Sequence, residues 1–398
     1  MPRGSARRRR GAHPRHVAGA LHHAAPPAML LAAVAPIARV LAQPRAVGEQ
    51  SALRAGGPHA ARIGELWNLM LWVGLAATVL TFALLAWALF RRRRPDELPP
   101  EADRPADLRG ERANDESGGR GRAGRGRPAS ERQGARWLVA GGIVLPTLVL
   151  LVVLVATLRT LGAITAPANA LAARDAAPRA DELAIEVVGR QYWWEVRYLD
   201  AQPARIFTTA NELRIPVGRR VLLRLRSGDV IHSFWVPGLQ GKMDLIPGRV
   251  NVLALQADRA GVWRGQCAEF CGVQHGKMAL TVVAEPPARF VAWQAAQRAE
   301  PAPPRDSVGL ADRQAFLASG CTLCHTVRGT PARGAMGPDL THVGSRLTLA
   351  AGTLPNSPGN LHGWIADPQA HKPGSLMPAV PMTAPELHAI ARYLTTLR

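Results

Sequence analysis

Residues 267–278 of this 398-residue chain concentrate side chains that bind soft metals into one short segment. The segment reads CAEFCGVQHGKM, and it offers two thiols, an imidazole and a thioether from Cys267, Cys271, His275 and Met278. Sulfur ligands of this kind favour copper, whereas a structural zinc site usually needs a second pair of cysteines or histidines close by. The candidate for a further, remote imidazole is His232. The fold must therefore bring a distant histidine to a cysteine loop.

The spacing C-x-E-x-C-x-x-x-H-x-x-M in this segment resembles the loop that holds the binuclear copper A (CuA) centre in cytochrome c oxidase subunit II. The resemblance implies that Cys267 and Cys271 bridge two copper ions. It implies that His232 and His275 each bind one of these ions, and that Met278 supplies a weaker thioether ligand.

Glu269 lies between the two cysteines, and the same resemblance implies two roles for it. Its main-chain carbonyl would be a weak copper ligand, and its carboxylate would bind magnesium at the interface with oxidase subunit I. Asp229 matches a family position near this interface, and we expect it to form hydrogen bonds there.

A second cofactor motif, C-x-x-C-H, is formed by Cys321, Cys324 and His325. The pattern is typical of covalent haem c attachment, in which two thiols bind the haem vinyl groups and the imidazole becomes an axial ligand. A thioredoxin-like C-x-x-C would need a β-α-β context, but the flanking sequence here predicts helix and coil. All four cysteines of the chain thus belong to cofactor motifs.

The other axial ligand of such a haem is a methionine or histidine further along the chain. Met377, in the segment SLMPAVP, is the first candidate, and Met382 and His371 are the alternatives. Gly337 and Pro338 resemble the turn of class I cytochromes c in which the proline carbonyl accepts a hydrogen bond from the axial histidine and so fixes its tautomer.

Residues 307–398 are accordingly predicted to form a complete, all-α class I cytochrome c domain. Thr383 and Glu386 have the spacing of a capping box that opens its final helix. The apolar stripe of that helix predicts a core-facing side, and it contains Leu387, Ile390, Ala391 and Leu394.

Two long apolar segments, residues 67–90 and 137–161, each exceed the roughly 20 residues needed to cross a hydrocarbon layer. We therefore predict transmembrane helices over residues 63–94 and 137–161. The polar residues 95–136 between them are rich in arginine and glycine, which predicts a disordered loop on the cytoplasmic side. Everything after the second helix then lies on the outer side of the membrane.

The net charge of +20 is concentrated near the N-terminus and just after residue 91, next to the apolar segments. This distribution indicates membrane-flanking segments and argues against nucleic acid as a partner. Residues 1–45 contain an arginine cluster followed by an apolar run, which predicts a signal peptide, with a disordered basic tail or an extra membrane segment as the alternatives.

From residue 182 the sequence changes to short alternating strands punctuated by glycines, which predicts a β-sandwich or barrel. The predicted strands cover residues 183–188, 212–217, 220–226, 249–255 and 278–283. The resemblance to oxidase subunit II implies a cupredoxin domain over residues 180–285, with His232 just past one strand. A proline-rich linker over residues 286–306, part helix and part extended, would then lead to the cytochrome domain.

Residues 191–194, with the sequence QYWW, match the aromatic run through which these oxidases accept electrons. Tyr192 stands where many family members have tryptophan, so Tyr192 and Trp193 both remain candidates for the ring that couples haem to copper. Strand alternation places Tyr192 and Trp194 on one face, as would also be expected of core residues.

Neither predicted membrane helix contains a histidine, so the haems within the bilayer and the oxygen-binding copper must belong to another chain. The resemblance implies subunit II of a caa-type, proton-translocating cytochrome c oxidase in a bacterial plasma membrane, with both cofactor domains on the periplasmic side. Its electrons would come from cytochrome c or another upstream donor and pass through haem c and CuA to haem a of subunit I, with subunit III as a further partner.

The alternative function is the copper-containing subunit of a nitric oxide reductase, which the partner subunit would distinguish. A copper-delivery protein is disfavoured because six converging ligand groups favour retention over exchange. Nitrous oxide reductase, whose CuA module is soluble, is disfavoured by the two apolar segments.

Overall fold

The computed structural model describes residues 48–90, 129–172 and 183–398. The predicted signal peptide or basic tail over residues 1–45 lies outside the described residues, as do residues 95–128 of the predicted cytoplasmic loop. The described residues comprise two long helices, a β-sandwich and a mainly helical C-terminal domain, which confirms the predicted fold class.

The first long helix, α1, spans Pro58–Phe90, and the second consists of α2 (Ala129–Val139), a π-helical turn (Ala140–Val144) and α3 (Leu145–Ala172). Pro146 accounts for the π turn, because proline donates no main-chain hydrogen bond and its ring displaces the carbonyl one turn earlier. Apolar windows in the two helices have mean hydropathies of 2.2 and 2.8 and contain no buried residue. Both helices are long and apolar enough to cross a membrane.

The second helix begins at Ala129, whereas the sequence predicted a disordered loop up to residue 136. Residues 129–136 read ASERQGAR and contain mostly good helix formers. Extending an existing helix avoids the cost of nucleating a new one, so the apolar segment propagates its helix into this polar sequence. The helix predicted over residues 137–161 is therefore the central part of a longer one. The helix predicted over residues 63–94 coincides with α1 up to Phe90, and its last four residues lie outside the described ones.

Within residues 183–398, ten strands form the β-sandwich. They are β1 (Ala184–Arg190), β2 (Trp193–Tyr198), β3 (Phe207–Ala210), β4 (Glu212–Pro216), β5 (Val221–Ser227), β6 (His232–Trp235), β7 (Met243–Leu245), β8 (Asn251–Leu255), β9 (Gly261–Cys267) and β10 (Ala279–Glu285). One sheet has the order β3-β2-β1-β5-β8 and the other the order β4-β10-β9-β6-β7. Alternating side chains from both sheets form one core, whose largest fully buried members include Trp194, Trp263 and Phe234.

Several strands around the cysteine loop were not predicted, notably β6 and β9. Gly265 lies within β9, and a Cβ atom there would come within 2.8 Å of the Trp235 carbonyl oxygen in β6. Glycine in this strand therefore permits close approach of its neighbour and does not mark a turn. His232 lies five residues past the end of β5, as predicted, and is itself the first residue of β6.

The linker begins with helix α4 (Pro287–Arg298) and continues as extended chain. The Trp293 ring of α4 packs on Tyr198 and Phe207 of the sandwich, with ring centroids 5.2 and 5.7 Å apart. The first half of the linker is thus attached to the β-sandwich by aromatic contacts.

The C-terminal domain contains α5 (Ser307–Ala318), α6 (Pro358–Ala366), α7 (Pro368–His371), α8 (Ala384–Thr396) and a short ladder of β11 (Thr348–Leu349) with β12 (Leu354–Pro355). Its helices enclose a second hydrophobic core that includes Phe316, Leu361 and Ile390. Thr383 and Glu386 form the predicted capping box at the start of α8. The predicted apolar stripe of α8 faces this core.

Substitution of Leu223 by alanine should destabilise the sandwich by about 2–5 kcal/mol, because this fully buried side chain of β5 would leave a cavity between the sheets. Urea unfolding followed by tryptophan fluorescence measures the loss. Leu222→Ala is the matched control, because the neighbouring side chain points to the opposite face and is only partly buried. An equal loss in both variants would contradict the assignment of the two faces.

Candidate metal centre and haem pocket

The predicted copper ligands converge at one end of the sandwich. Cys267 is the last residue of β9, and β6 pairs with β9 so that Phe234 lies opposite Cys267. This register brings His232, two residues before Phe234, next to the cysteine loop. Gly189 of β1 leaves room for the imidazole, since a Cβ atom there would lie 2.8 Å from His232 Cδ2.

The ligand atoms of this site lie within about 4 Å of their neighbours. Cys267 Sγ is 3.9 Å from Cys271 Sγ, 3.8 Å from His232 Nδ1 and 3.2 Å from the Glu269 carbonyl oxygen. Cys271 Sγ is 3.7 Å from His275 Nδ1 and 3.8 Å from Met278 Sδ. All six predicted ligand groups are therefore brought together around the two sulfur atoms.

The two thiols are placed for metal binding and not for forming a disulfide bond with each other. Their sulfur atoms are much further apart than the roughly 2.05 Å of a disulfide bond, and both cysteines are free and buried. His232, Cys267 and Cys271 form a group whose ligand atoms all lie within 4.8 Å of one another. Two thiolates flanked by two imidazoles and a thioether fit the soft ligand set that copper prefers.

Ionisation of the sulfur pair is asymmetric. A hydrogen bond from the Cys271 thiol lowers the pKa of Cys267 to about 3, and the same contact raises the pKa of Cys271. One of the two thiols therefore loses its proton more readily than the other. A metal ion would replace the remaining proton, because thiolates and not thiols are the ligands.

Asp229 orients His232 from the side away from the sulfur atoms. Asp229 Oδ1 lies 2.6 Å from His232 Nε2, and Oδ2 accepts a hydrogen bond of 2.6 Å from the Gln191 amide. Burial alone would lower the pKa of His232, but the Asp229 hydrogen bond raises it to about 9. A carboxylate behind a histidine ligand fixes its ring and tautomer. Asp229 thus forms hydrogen bonds within this chain, and its expected role near the interface with subunit I stays a prediction.

The two groups of Glu269 to which roles were predicted, its carbonyl oxygen and its carboxylate, lie in different surroundings. Its carbonyl oxygen faces Cys267, whereas its carboxylate is 44% exposed and lies 3.5 Å from Lys242 Nζ. The side chain is thus directed away from the sulfur atoms and is accessible from outside the sandwich.

The C-x-x-C-H motif follows α5 and surrounds a cavity of about 300 Å³. Cys321, Cys324 and His325 line this cavity. His325 Nδ1 donates a hydrogen bond of 2.8 Å to the Pro338 carbonyl, which leaves Nε2 as the nitrogen with a free lone pair. A Cβ atom at Gly337 would lie 2.6 Å from the His325 ring, so glycine is required beside it. A mainly apolar cavity with two thiols and an oriented imidazole fits a covalently attached haem.

The candidates for the other axial ligand differ in their surroundings. Met377 lines the cavity together with the C-x-x-C-H residues. Met382 packs against the hydrophobic core of the domain, and His371 lies beside the Trp364 ring at a centroid distance of 6.4 Å. These positions favour Met377.

The aromatic run lies between the two candidate sites. Tyr192 and Trp193 line the haem cavity, although they belong to the sandwich. Trp194 is fully buried on the other side, where its Nε1 donates to the Met278 carbonyl over 3.4 Å and its ring centroid lies 6.2 Å from that of His232. The sequence left the choice between Tyr192 and Trp193 open, and both reach the cavity.

Sequence reasoning missed Lys372, which is 3% exposed and also lines the haem cavity. A lone lysine between a histidine and a proline has no pattern that indicates burial. Only the packing of the cytochrome domain on the sandwich places it there.

Comparison with known proteins agrees with this two-site arrangement. The family described as cytochrome c oxidase subunit II, periplasmic domain, matches residues 192–285, and the cytochrome c family matches residues 313–398. Subunit 2 of cytochrome c oxidase from Alkalihalophilus pseudofirmus is 40% identical over 54% of this chain, which spans 61% of that relative's length. The corresponding subunit of Bacillus sp. PS3 is 32% identical over 64% of this chain and 72% of the relative.

Among solved structures, the periplasmic domain of oxidase subunit II from Bradyrhizobium japonicum is 28% identical, covering 31% of this chain and 97% of that domain with a TM-score of 0.28. The relative from Bacillus sp. PS3 is matched over most of its length at more than 30% identity. The chain therefore belongs to the cytochrome c oxidase subunit II family and carries a cytochrome c domain at its C-terminal end.

Proposed function

We propose that this chain is the subunit through which electrons enter a caa-type terminal oxidase. Electrons from cytochrome c or another upstream donor would pass through haem c and CuA to haem a of subunit I, where the partner chain reduces oxygen. One observation carries the proposal: the cavity lined by Cys321, Cys324 and His325 is also lined by Tyr192 and Trp193, whose strand continues into Trp194 beside the copper ligands.

When bound, haem c and the copper pair would supply reversible one-electron chemistry. The chain would hold the copper pair between the bridging thiolates of Cys267 and Cys271, with His232 and His275 as terminal ligands. Met278 and the Glu269 carbonyl would complete the set as weaker ligands.

The protein's own contribution is to keep this ligand set fixed and, apart from the partly exposed His275, away from water. The side chains of His232, Cys267, Cys271 and Met278 are all less than 4% exposed. A buried site has little water to reorganise when its charge changes, and strands β6, β9 and β10 restrict movement of the ligands. Both properties favour rapid electron transfer.

For the cytochrome domain, we propose that Cys321 and Cys324 attach the haem, and that His325 and Met377 are its axial ligands. The Pro338 carbonyl holds His325 in the tautomer that presents Nε2 to the cavity. Tyr192, Trp193 and Trp194 are proposed as the aromatic connection between the two centres.

The location of the chain follows from the same proposal. The two long helices would cross a bacterial plasma membrane, and both cofactor domains would lie on its periplasmic side. The exposed Glu269 carboxylate would bind magnesium at the contact with subunit I, and subunit III would complete the core of the complex.

Purification of the intact complex from membranes tests this function. We expect a large subunit containing haem to co-purify, and the complex to consume oxygen with reduced cytochrome c as donor. Reduction of nitric oxide without oxygen consumption would instead support the nitric oxide reductase alternative. Zinc in place of copper, in protein from its native host, would refute both.

Cys271→Ser should abolish the absorption of the copper pair and leave the covalent haem band intact, because the two sites use different cysteines. The double variant Cys321→Ser/Cys324→Ser is the reciprocal control, and it should lose covalent haem while keeping the copper spectrum. Visible absorption and haem staining after denaturing electrophoresis measure both. Loss of both signals in either variant would contradict two independent sites.

Met377→Ala should convert the haem to a high-spin form of lower reduction potential, because a thioether ligand would be lost. Met382→Ala is the matched control, since that side chain packs on the core, and its haem should remain low-spin. Optical and electron paramagnetic resonance spectra distinguish the two states. A high-spin haem in Met382→Ala alone would show that the axial assignment is wrong.

A further inference from the structure

Lys372 is a buried cation at the contact between the cytochrome domain and the sandwich. Its Nζ donates hydrogen bonds of 2.6 Å to the Tyr192 carbonyl of the sandwich and 3.2 Å to the Ala350 carbonyl of the cytochrome domain. One side chain thus connects the aromatic run to the opposite wall of the haem cavity.

The residues on either side of Lys372 also bind the sandwich. Lys277 Nζ donates to the His371 carbonyl and Gln274 Nε2 to the Pro373 carbonyl, each over 2.6 Å. Gln274 and Lys277 belong to the copper loop. Three consecutive residues of the cytochrome domain therefore form hydrogen bonds with the part of the sandwich that surrounds the copper ligands.

The turn facing Lys372 has a backbone conformation that the contact supports. Ala350 and Ala351 have φ angles of +51° and +56°, a left-handed region that residues with a side chain rarely adopt. The Ala350 carbonyl accepts from Lys372, and the Ala351 carbonyl accepts a hydrogen bond of 2.9 Å from the Ala279 amide in β10. Such strain persists where surrounding contacts hold it in place.

Burying a lysine at this position costs free energy, because its ammonium group loses its hydration. Among the described residues, its ammonium contacts carbonyl oxygens and forms no ion pair. Burial lowers the pKa of Lys372 to about 7. The charge of Cys271 acts against this shift, and the charge of Lys277 adds to it. An apolar side chain of similar length would avoid this desolvation. The hydrogen bonds that only a long donor can make across the contact account for the lysine.

We propose that Lys372 is a positioning residue that holds the cytochrome domain in one orientation on the sandwich, with the haem cavity closed by Tyr192 and Trp193. The inference deepens the proposed function, because it concerns how the two electron-carrying sites are kept adjacent. The orientation of the domains is a property of the chain itself and can be measured without electron transfer.

Hydrogen exchange at two backbone amides measures the contact between the cytochrome domain and the sandwich directly. The Ala279 amide donates to the Ala351 carbonyl, and the Leu347 amide donates over 2.9 Å to the Glu212 carboxylate of β4. Both bonds cross between the domains. The Val282 amide lies in the centre of β10, paired with β4 and β9, and reports only the sandwich.

Hydrogen–deuterium exchange on the purified, cofactor-loaded complex tests the proposal with Lys372→Met. Exchange at Ala279 and Leu347 should rise at least tenfold, while Val282 and the haem and copper spectra stay unchanged. Arg333→Met is the matched control, because it removes one exposed cation from the same domain and should alter neither amide. Lys372→Gln retains a shorter hydrogen-bond donor and should give a smaller rise in exchange at the two amides. It replaces the methionine variant as the test if that variant fails to assemble.

Electron transfer from haem to copper, followed by flash-induced absorbance changes, should slow at least tenfold in Lys372→Met. Unchanged exchange at both amides in a variant with intact spectra would overturn the positioning role. Increased exchange with an unchanged electron-transfer rate would instead confirm the positioning role and refute the proposed route between the two centres.

Discussion

The antiparallel pairing of β6 with β9 is the contact on which the candidate copper site depends. It places Phe234 opposite Cys267 and so holds His232 with its Nδ1 3.8 Å from the cysteine sulfur, although the two residues are 35 positions apart. Gly265 allows the strands to approach because it has no side chain to meet the Trp235 carbonyl. The ligand arrangement is thus a property of the sheet and not of the loop alone, and a sheet resists the changes in geometry that would slow electron transfer.

Strand β2 and the residue before it contact both candidate sites, and within the strand the alternation of side chains accounts for this. Successive side chains of a strand point to opposite faces, so Trp193 lies towards the haem cavity and Trp194 towards Met278 and His232. Gln191 adds a second link, since its amide binds Asp229 and its side chain donates to the Cys271 carbonyl. The same short segment therefore contacts the candidate copper ligands, the residue that orients one of them, and the haem cavity.

Most hydrogen bonds between the cytochrome domain and the sandwich join a side chain of one domain to a main-chain group of the other. The carbonyls of His371 and Pro373 accept from side chains of the cysteine loop, and the Leu347 amide donates to a carboxylate, whereas the Ala279 amide donates to a main-chain carbonyl. Arg328 of the cytochrome domain adds a contact with the linker, because its guanidinium donates to the Gln297 and Arg298 carbonyls at the end of α4. A main-chain group has no side-chain signature, so one half of each such contact leaves no trace in the sequence.

Local patterns were enough to predict both candidate sites, the two apolar helices, the β-sandwich and the capped final helix, because ligand spacing, hydrophobic length and periodicity act over a few neighbouring residues. The start of the second helix at Ala129 and strands β6 and β9 were missed, since helix propagation and close strand approach depend on what lies next to them. The fold alone placed Tyr192 in the wall of a haem cavity whose other lining residues are mostly more than 100 positions away, and brought Lys372 of the cytochrome domain against the Tyr192 carbonyl. Contacts between such distant segments arise from domain packing, for which the sequence of either segment carries no periodic signal.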